Sequence, residues 1–494
     1  MEYQKRNKNQ YSIKINPMKK SVLIAFAFST FFACKTENKE EKVIAQQEDK
    51  TDIAPISDAI LEDAVIYEAN IRQYSSEGSF DAFTKDIPKL KQLGVKIIWL
   101  MPINPISETK RKATGGDFAS LIKDEAERNK MLGSYYAVSD YTKVNPEFGD
   151  IEDFRALVKT AHTNGMYVIL DWVPNHTGWD HVWIKEHPEF YVKNAKGEIT
   201  DPLNSDGTSK GWGDVAQLDY TNMAMQNEMI KDMMYWVENE HVDGFRCDHV
   251  EPTPVAFWEK AIPQLRAKRA LFMLAENDDA KFMKGTNLFD MEYGWKLHHL
   301  MNDIAQGKKS VNDFDDLMTY NQTTYEPNDI LMNFVTNHDE NSWAGTIYER
   351  LDGKAELMTA LSFMAPGMPL IYSGQEYDLN HRLKFFEKDS IPKTKGKMWP
   401  VLEKLGQLKN DNLALNGGKH PAAYKRLPSD KNTLMFERTK NGKTAIFIAN
   451  LSDESSKIAI PLKGKYKDYM ADKDLELNDG VLEIGAWEYK ILTN

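Results

Sequence analysis

From Ala64 to Glu376 the chain alternates short, nearly continuous apolar runs with longer segments in which apolar residues recur every three or four positions. Eight runs of the first kind stand out. They are AVIYEANI (64–71), VKIIWLMP (95–102), MYVILDWVP (166–174), VDGFRCDHV (242–250), ALFMLAEN (270–277), LFDMEY (288–293), DILMNFVTNHD (329–339) and MPLIYSGQE (368–376). Continuous rather than alternating hydrophobicity predicts strands covered on both faces, as in a parallel sheet. The intervening segments predict crossover helices. In IEDFRALVKTAHTNG (151–165), Phe154, Leu157, Val158 and Ala161 fall at helical spacing before a stop at Gly165. FTKDIPKLKQLG (83–94) stops the same way at Gly94, and MQNEMIKDMMYWVENEH (225–241) carries a core-facing stripe of Met and Trp. Eight strands alternating with helices predict an α/β fold, a (β/α)8 TIM barrel over residues 58–405.

Two connections are oversized: a charged loop between Ser107 and Gly133, and an insertion over about 177–220 after the third strand that predicts a small subdomain. The insertion carries Trp179, Trp183, Phe190, Tyr191 and Trp212. Such rings either stack on a sugar face or pack the subdomain itself, and their sequence positions do not distinguish the two. After a last helix around 401–415 the pattern changes to short alternating runs, NTLMFERTK, KTAIFIANL, SKIAIPL and AWEYKIL, parted by Gly, Asn, Asp and Lys. These predict an all-β sandwich domain over 410–494.

Of the 494 residues 41% are hydrophobic, enough for a large core, and the formal net charge of -12 disfavours nucleic acid as a partner. Near the start, Met18-Lys19-Lys20 precedes an apolar run from Val22 to Ala33 that is too short to span a bilayer and ends at Cys34. FFAC is similar to a bacterial lipobox, so residues 1–34 are expected to be a lipoprotein-type signal with lipid on Cys34. That address is extracytoplasmic, anchored to the outer membrane on its periplasmic or cell-surface face. Residues 35–57, rich in Glu, Lys and Gln, read as a disordered tether. The second cysteine, Cys247, falls in a buried run, which leaves no disulfide.

The strand ends of such a barrel converge on one mouth, so a polar residue closing an apolar run faces a ligand. The third run delivers Asp171, Asn175 and His176, the fourth Arg246 and Asp248, the fifth Glu276, and the seventh His338 and Asp339. Arg246 and Asp248 share a strand face, and the guanidinium is expected to keep Asp248 ionised. Neighbouring anions and the apolar LFMLA are expected to raise the pKa of Glu276. An ionised carboxylate that attacks an anomeric carbon and a protonated one that releases the leaving oxygen are the two groups of glycoside hydrolysis. Asp248 is therefore the candidate nucleophile and Glu276 the candidate acid, with Asp339 holding hydroxyls. His176 and His338 are expected to be neutral donors. Taken singly, the Arg/Asp pair is structural and each His a satisfied core residue; their convergence favours chemistry.

The segments DWVPNH (171–176), GFRCD (244–248), the Glu276 strand and FVTNHD (334–339) together resemble the four signature regions of glycoside hydrolase family 13, the α-amylase family. The resemblance implies a retaining α-glucoside-active enzyme, and the leading expectation is hydrolysis of α-1,4 bonds in glucans or maltooligosaccharides, with α-1,6 bonds left open. Asp248, Glu276 and Asp339 would be catalytic, and Tyr136, His176, Arg246 and His338 would contact sugar. Many members carry Lys-His three and four residues after the nucleophile, where this chain has Glu251-Pro252. That departure leaves endo action unassigned and a structural calcium ion beside Asn175 an open alternative. No cofactor is required for the chemistry. The alternatives are a transglycosylase or isomerase of the same family, or a non-catalytic surface glycan-binding protein that would lack a carboxylate.

Overall fold

The computed structural model describes residues 53–283 and 288–494. The signal expected over 1–34, with Cys34, and residues 35–52 of the expected tether lie outside the described residues. Residues 53–57 of that tether are not disordered but packed on the barrel, with Ile56 buried in its core and Ala54 O accepting from Tyr167 OH (3.1 Å). All eight apolar runs become strands of one closed parallel barrel: β1 Val65–Ala69, β2 Val95–Leu100, β3 Tyr167–Trp172, β4 Gly244–Cys247, β5 Phe272–Ala275, β6 Met291–Tyr293, β7 Ile330–Asn333 and β8 Met368–Tyr372. They follow each other around the ring in chain order, and β1 closes on β8 with Ile66 opposite Leu370.

Alternate residues explain the continuous hydrophobicity. Ile66, Ile97, Trp99, Ile169, Phe272, Leu274, Met332 and Leu370 fill the barrel interior. Their neighbours Tyr67, Ile98, Leu170, Phe245 and Met273 pack outward under the helices. Gly244 stands where the interior is tightest, since a Cβ there would meet the Phe272 carbonyl oxygen at 1.8 Å.

The predicted helices form, with one exception. Ile151–Thr163 starts at an Asp150/Asp153 capping box and is followed by Gly165 at φ +77°, and Met223–Glu238 leads into β4. Residues 83–94 are not one helix: Pro88 and the turn at Asp86 break them into Phe80–Thr84, Ile87–Leu90 and a 3-10 turn at Lys91–Leu93. Among the described residues the β5–β6 crossover holds one 3-10 turn, Ala280–Phe282, and no helix here is long and apolar enough to cross a membrane. Cys247 is a buried free thiol.

The insertion after β3 is pinned by a short antiparallel pair, His176–Gly178 with Val215–Gln217. Asp180 ties it to the loop after β2 by accepting from Ser107 Oγ (2.9 Å), Glu108 N (2.6 Å) and Thr109 N (2.7 Å). Three of its aromatics, Trp183, Phe190 and Tyr191, are buried packing of the subdomain.

The C-terminal strands are β9 Ala423–Arg426, β10 Thr433–Lys440, β11 Lys443–Asn450, β12 Ser456–Asp468, β13 Lys473–Ile484 and β14 Tyr489–Thr493. They form one six-stranded antiparallel sheet in the order β9-β10-β11-β14-β12-β13, where the alternation predicts a sandwich. The sheet curls so that Ile458, Ile460 and Leu462 of β12 cover Met435, Ile446 and Ile448, which gives it a sandwich-like core within a single hydrogen-bonded sheet. β13 escaped the sequence reading because only Leu475 and Leu477 stand at its alternate apolar positions before Asn478, Asp479 and Gly480, a sequence that reads as a turn.

Arg438 on β10 is wholly buried against the barrel and donates from Nη1 to Met364 O (3.2 Å) and from Nη2 to Asn416 O (2.8 Å). Arg438→Met would leave those carbonyls unpaired. The expected cost is about 2–4 kcal/mol of stability, read as a lowered denaturation midpoint, with little change at the barrel mouth.

Candidate active site

The C-terminal layer of inward positions is polar where the layers beneath are apolar. Glu68 of β1, Trp99 of β2, Asp171 of β3, Arg246 of β4 and Tyr293 of β6 all occupy it, and Asp248 and Glu276 follow one step past the ends of β4 and β5. Arg246 is the hub. Its Nη1 donates to Asp171 Oδ1 and to Asp248 Oδ1, each at 2.8 Å. Nη2 lies 2.9 Å from Glu276 Oε2 in an ion pair without directed hydrogen-bond geometry, and Nε donates to Tyr293 OH at 3.0 Å. The Trp99 ring lies 4.9 Å from the guanidinium carbon. Burial opposes the charge of Arg246, but Asp171 and Glu276 more than restore it, and its pKa is pushed above the ordinary range.

Asp248, Glu276 and Asp339 open onto one pocket of about 400 Å³, with side chains 13%, 17% and 39% exposed, so the first two sit on the floor and the third at the rim. Tyr136, His176 and His338 line the same pocket. Arg246 lies beneath it, in contact with the ligand side only through the carboxylates. Asp171 is buried, accepting from Arg246, from Trp99 Nε1 (3.2 Å) and from Tyr136 OH (3.2 Å), which makes it a support for the hub.

Protonation differs from expectation at three residues. Burial and then the charge of Glu276 push the Asp248 carboxyl well up, and the single Arg246 contact does not offset them. Glu276 is buried too, yet Arg246 and the His249 N–H, donating at 2.8 Å, hold it below its ordinary value. The two carboxyls titrate as a unit that shares one proton. The expectation of an ionised Asp248 and a raised Glu276 missed the donor from His249 and the single guanidinium serving both carboxyls.

His338 is the third. Burial pulls its pKa down, but Asp339 and Glu68 outweigh burial and raise it to about 9, so the ring is an imidazolium rather than the neutral donor expected. Its Nδ1 donates to Glu68 Oε1 at 2.6 Å, and Nε2 donates to Tyr136 OH (2.8 Å), which passes its own proton toward Asp171. His176 is neutral as expected, lowered to about 3 chiefly by burial.

Glu68 was legible as a lone carboxylate inside the otherwise apolar IYEA, and Tyr293 as the polar end of the sixth run. Trp343, Phe385 and Phe386, which wall the rim, come from loops after β7 and β8 that carry no such signal. Of the insertion's aromatics, Trp212 lines the pocket, while Trp179 donates from Nε1 to Gly213 O within the subdomain.

Several polar groups around Asn175 have partners within the protein. The Asn175 side-chain Nδ2 is engaged with His176 Nδ1 (3.1 Å) and its backbone carbonyl accepts from Leu218 N (3.1 Å). Nearby Asp140 is paired with Lys143 (2.8 Å), and Asp214 with Lys112 (3.3 Å). Among the described residues no three His, Cys, Asp or Glu side chains are grouped as metal ligands.

Two carboxyls sharing a proton beside a third at an aromatic rim can act on a polyhydroxylated ring as acid, nucleophile and hydroxyl clamp. The family model described as the α-amylase catalytic domain matches residues 66–413. The chain is 23% identical over 442 residues to the α-amylase MalA of Haloarcula japonica, covering 84% of this chain and 60% of that protein. It is 29% identical over 233 residues to an α-1,4-glucan:maltose-1-phosphate maltosyltransferase of Chlorobaculum tepidum, covering 46% of this chain and 34% of that one. The chain thus spans less than two thirds of the length of these curated relatives. Among solved structures, an α-amylase from Lactobacillus plantarum superposes with a TM-score of 0.75 at 31% identity, over 88% of this chain and all of that one. The maltogenic α-amylase AmyB of Thermotoga neapolitana superposes with a TM-score of 0.75 at 27% identity, over 88% of this chain and 99% of the other. With its barrel matched from β1 through the last helix, the chain belongs to the α-amylase family.

Proposed function

We propose that the protein is a retaining α-glucoside hydrolase that cuts α-1,4 bonds of glucans or maltooligosaccharides by double displacement. The observation that carries this reading is that Asp248 and Glu276 flank the two amino groups of one guanidinium, with Asp339 at the rim of the same pocket. Substrate binding brings a glycosidic oxygen against Glu276, and the shared proton moves to that carboxyl. Glu276 then protonates the leaving oxygen as Asp248 attacks the anomeric carbon. The C–O bond breaks and a glycosyl ester of Asp248 forms. Glu276, now ionised, takes a proton from water as its oxygen attacks the same carbon and frees Asp248. Asp339 and the His338 imidazolium hold the ring hydroxyls, and the negative charge nearby opposes the positive charge of the oxocarbenium-like transition state.

A transglycosylase is the second reading, favoured by the maltosyltransferase among the relatives. Chains longer than a maltoheptaose substrate would identify transfer, and shorter ones alone hydrolysis. We further propose export and lipidation at Cys34. Wild-type protein expressed in a bacterial host should partition with the membrane fraction and Cys34→Ala should not; equal partitioning of the two would contradict the anchor.

Asp248→Asn is expected to lower kcat on maltoheptaose by about 10³-fold or more with binding retained. Glu276→Gln is expected to lose turnover on maltoheptaose while keeping a larger fraction of it on α-maltosyl fluoride, whose leaving group needs no proton. Unaltered turnover in either variant would mean the roles are misassigned.

The histidines give a pH test. A folded pKa of about 9 for His338 lies above the ordinary histidine value, so its ion pair stabilises the fold fully below about pH 6.5 and is lost as pH rises through 9. Nitrogen NMR of the imidazoles should find His338 doubly protonated until about pH 9 and His176 neutral down to about 3. Glu68→Gln should move the His338 titration to lower pH; an unmoved titration would contradict the role given to Glu68.

A further inference from the structure

The residue that follows Asp248 is a histidine in an uncommon backbone state. His249 has φ +41°, in the left-handed region that bulky side chains rarely adopt. That turn aims its N–H at Glu276 Oε2 and leaves the imidazole lining the pocket. The ring therefore stands beside the carboxyl that protonates the leaving oxygen. Because acid and leaving oxygen must come within hydrogen-bond reach, a group beside the acid is beside the departing sugar.

Two residues of the inserted subdomain meet this ring. Lys210 Nζ lies 3.0 Å from His249 Nε2. An ammonium can only donate, so Nε2 accepts and the ring proton sits on Nδ1. Burial and then the Lys210 charge lower the His249 pKa, in keeping with a neutral ring. Nδ1 has no hydrogen-bond partner among the described residues and is free to donate to a ligand. Trp212 packs edge-on against His249, with centroids 5.2 Å apart, and Lys210 Nζ sits 5.1 Å from the centre of the indole ring. Trp212 also lines the pocket and meets His176 at 5.9 Å.

We propose that His249, Trp212 and Lys210 form the binding site for the leaving sugar. His249 donates its Nδ1–H to a hydroxyl of that sugar and Trp212 offers apolar ring surface. Lys210 is a positioning residue that fixes the tautomer of His249. The insertion after β3 thereby sets which leaving groups the barrel accepts. The inference rests on the hydrolase reading above and adds the side of the substrate on which these residues act.

Maltotriose and α-maltosyl fluoride deliver the same maltosyl group but differ in whether a sugar leaves. Lys210→Met should lower kcat/KM for maltotriose about tenfold further than for the fluoride, chiefly through KM, and Lys210→Arg should recover most of that difference. Trp212→Leu should shift the ratio in the same direction. Equal losses on the two substrates would mean that the trio only props Glu276, and would overturn the inference, as would no loss on either. Wild-type protein inert toward both would instead overturn the hydrolase reading itself.

Discussion

A buried guanidinium governs the mouth of this barrel. Removing a cation from water costs several kcal/mol, and only near neighbours of opposite charge and well-placed acceptors offset that cost. Arg246 has Asp171, Asp248, Glu276 and the Tyr293 hydroxyl within 3.0 Å, contributed by or just beyond β3, β4, β5 and β6. Each of these side chains must be on the inward face of its own strand. A one-residue slip in any strand would send its group outward among the helices, so the hub and the barrel register constrain each other.

Charge counting connects the hub to protonation. Glu68, Asp171, Asp248, Glu276 and Asp339 surround two cations, Arg246 and the His338 imidazolium. Four of these carboxyls are buried beyond what two positive charges can balance, so the Asp248–Glu276 pair shares a proton and burial raises Glu68 and Asp171 as well. The chain from Glu68 through His338 and Tyr136 to Asp171 couples the rim to the hub through hydrogen bonds of 2.6, 2.8 and 3.2 Å. A change in the charge of His338 therefore acts on the floor of the pocket without touching it.

The barrel was legible in the sequence because strands buried on both faces cannot hide among polar residues. Polar residues ending those runs were legible for the same reason, and Asp248, Glu276, Asp339, His176, His338 and Tyr136 do meet in one pocket. Protonation was not legible, because it depends on donors from elsewhere, such as the His249 N–H on Glu276 and Glu68 against His338. Nor were Phe385 and Phe386, whose place at the rim follows from the path of a loop rather than from any periodicity. The sandwich was half legible: alternation marks the strands β10, β11, β12 and β14, but not β13, nor that all of them join one continuous sheet.

The central claim is that Asp248, held by Arg246, becomes covalently bonded to the sugar. A fluorinated α-glucosyl fluoride that forms the glycosyl-enzyme quickly and releases it slowly, followed by proteolysis and mass spectrometry, tests this most directly. The account predicts one glycosyl adduct per chain, on the peptide that contains Asp248 and on that side chain. An adduct on Glu276 or Asp339, or turnover with inversion and no adduct at all, would contradict it.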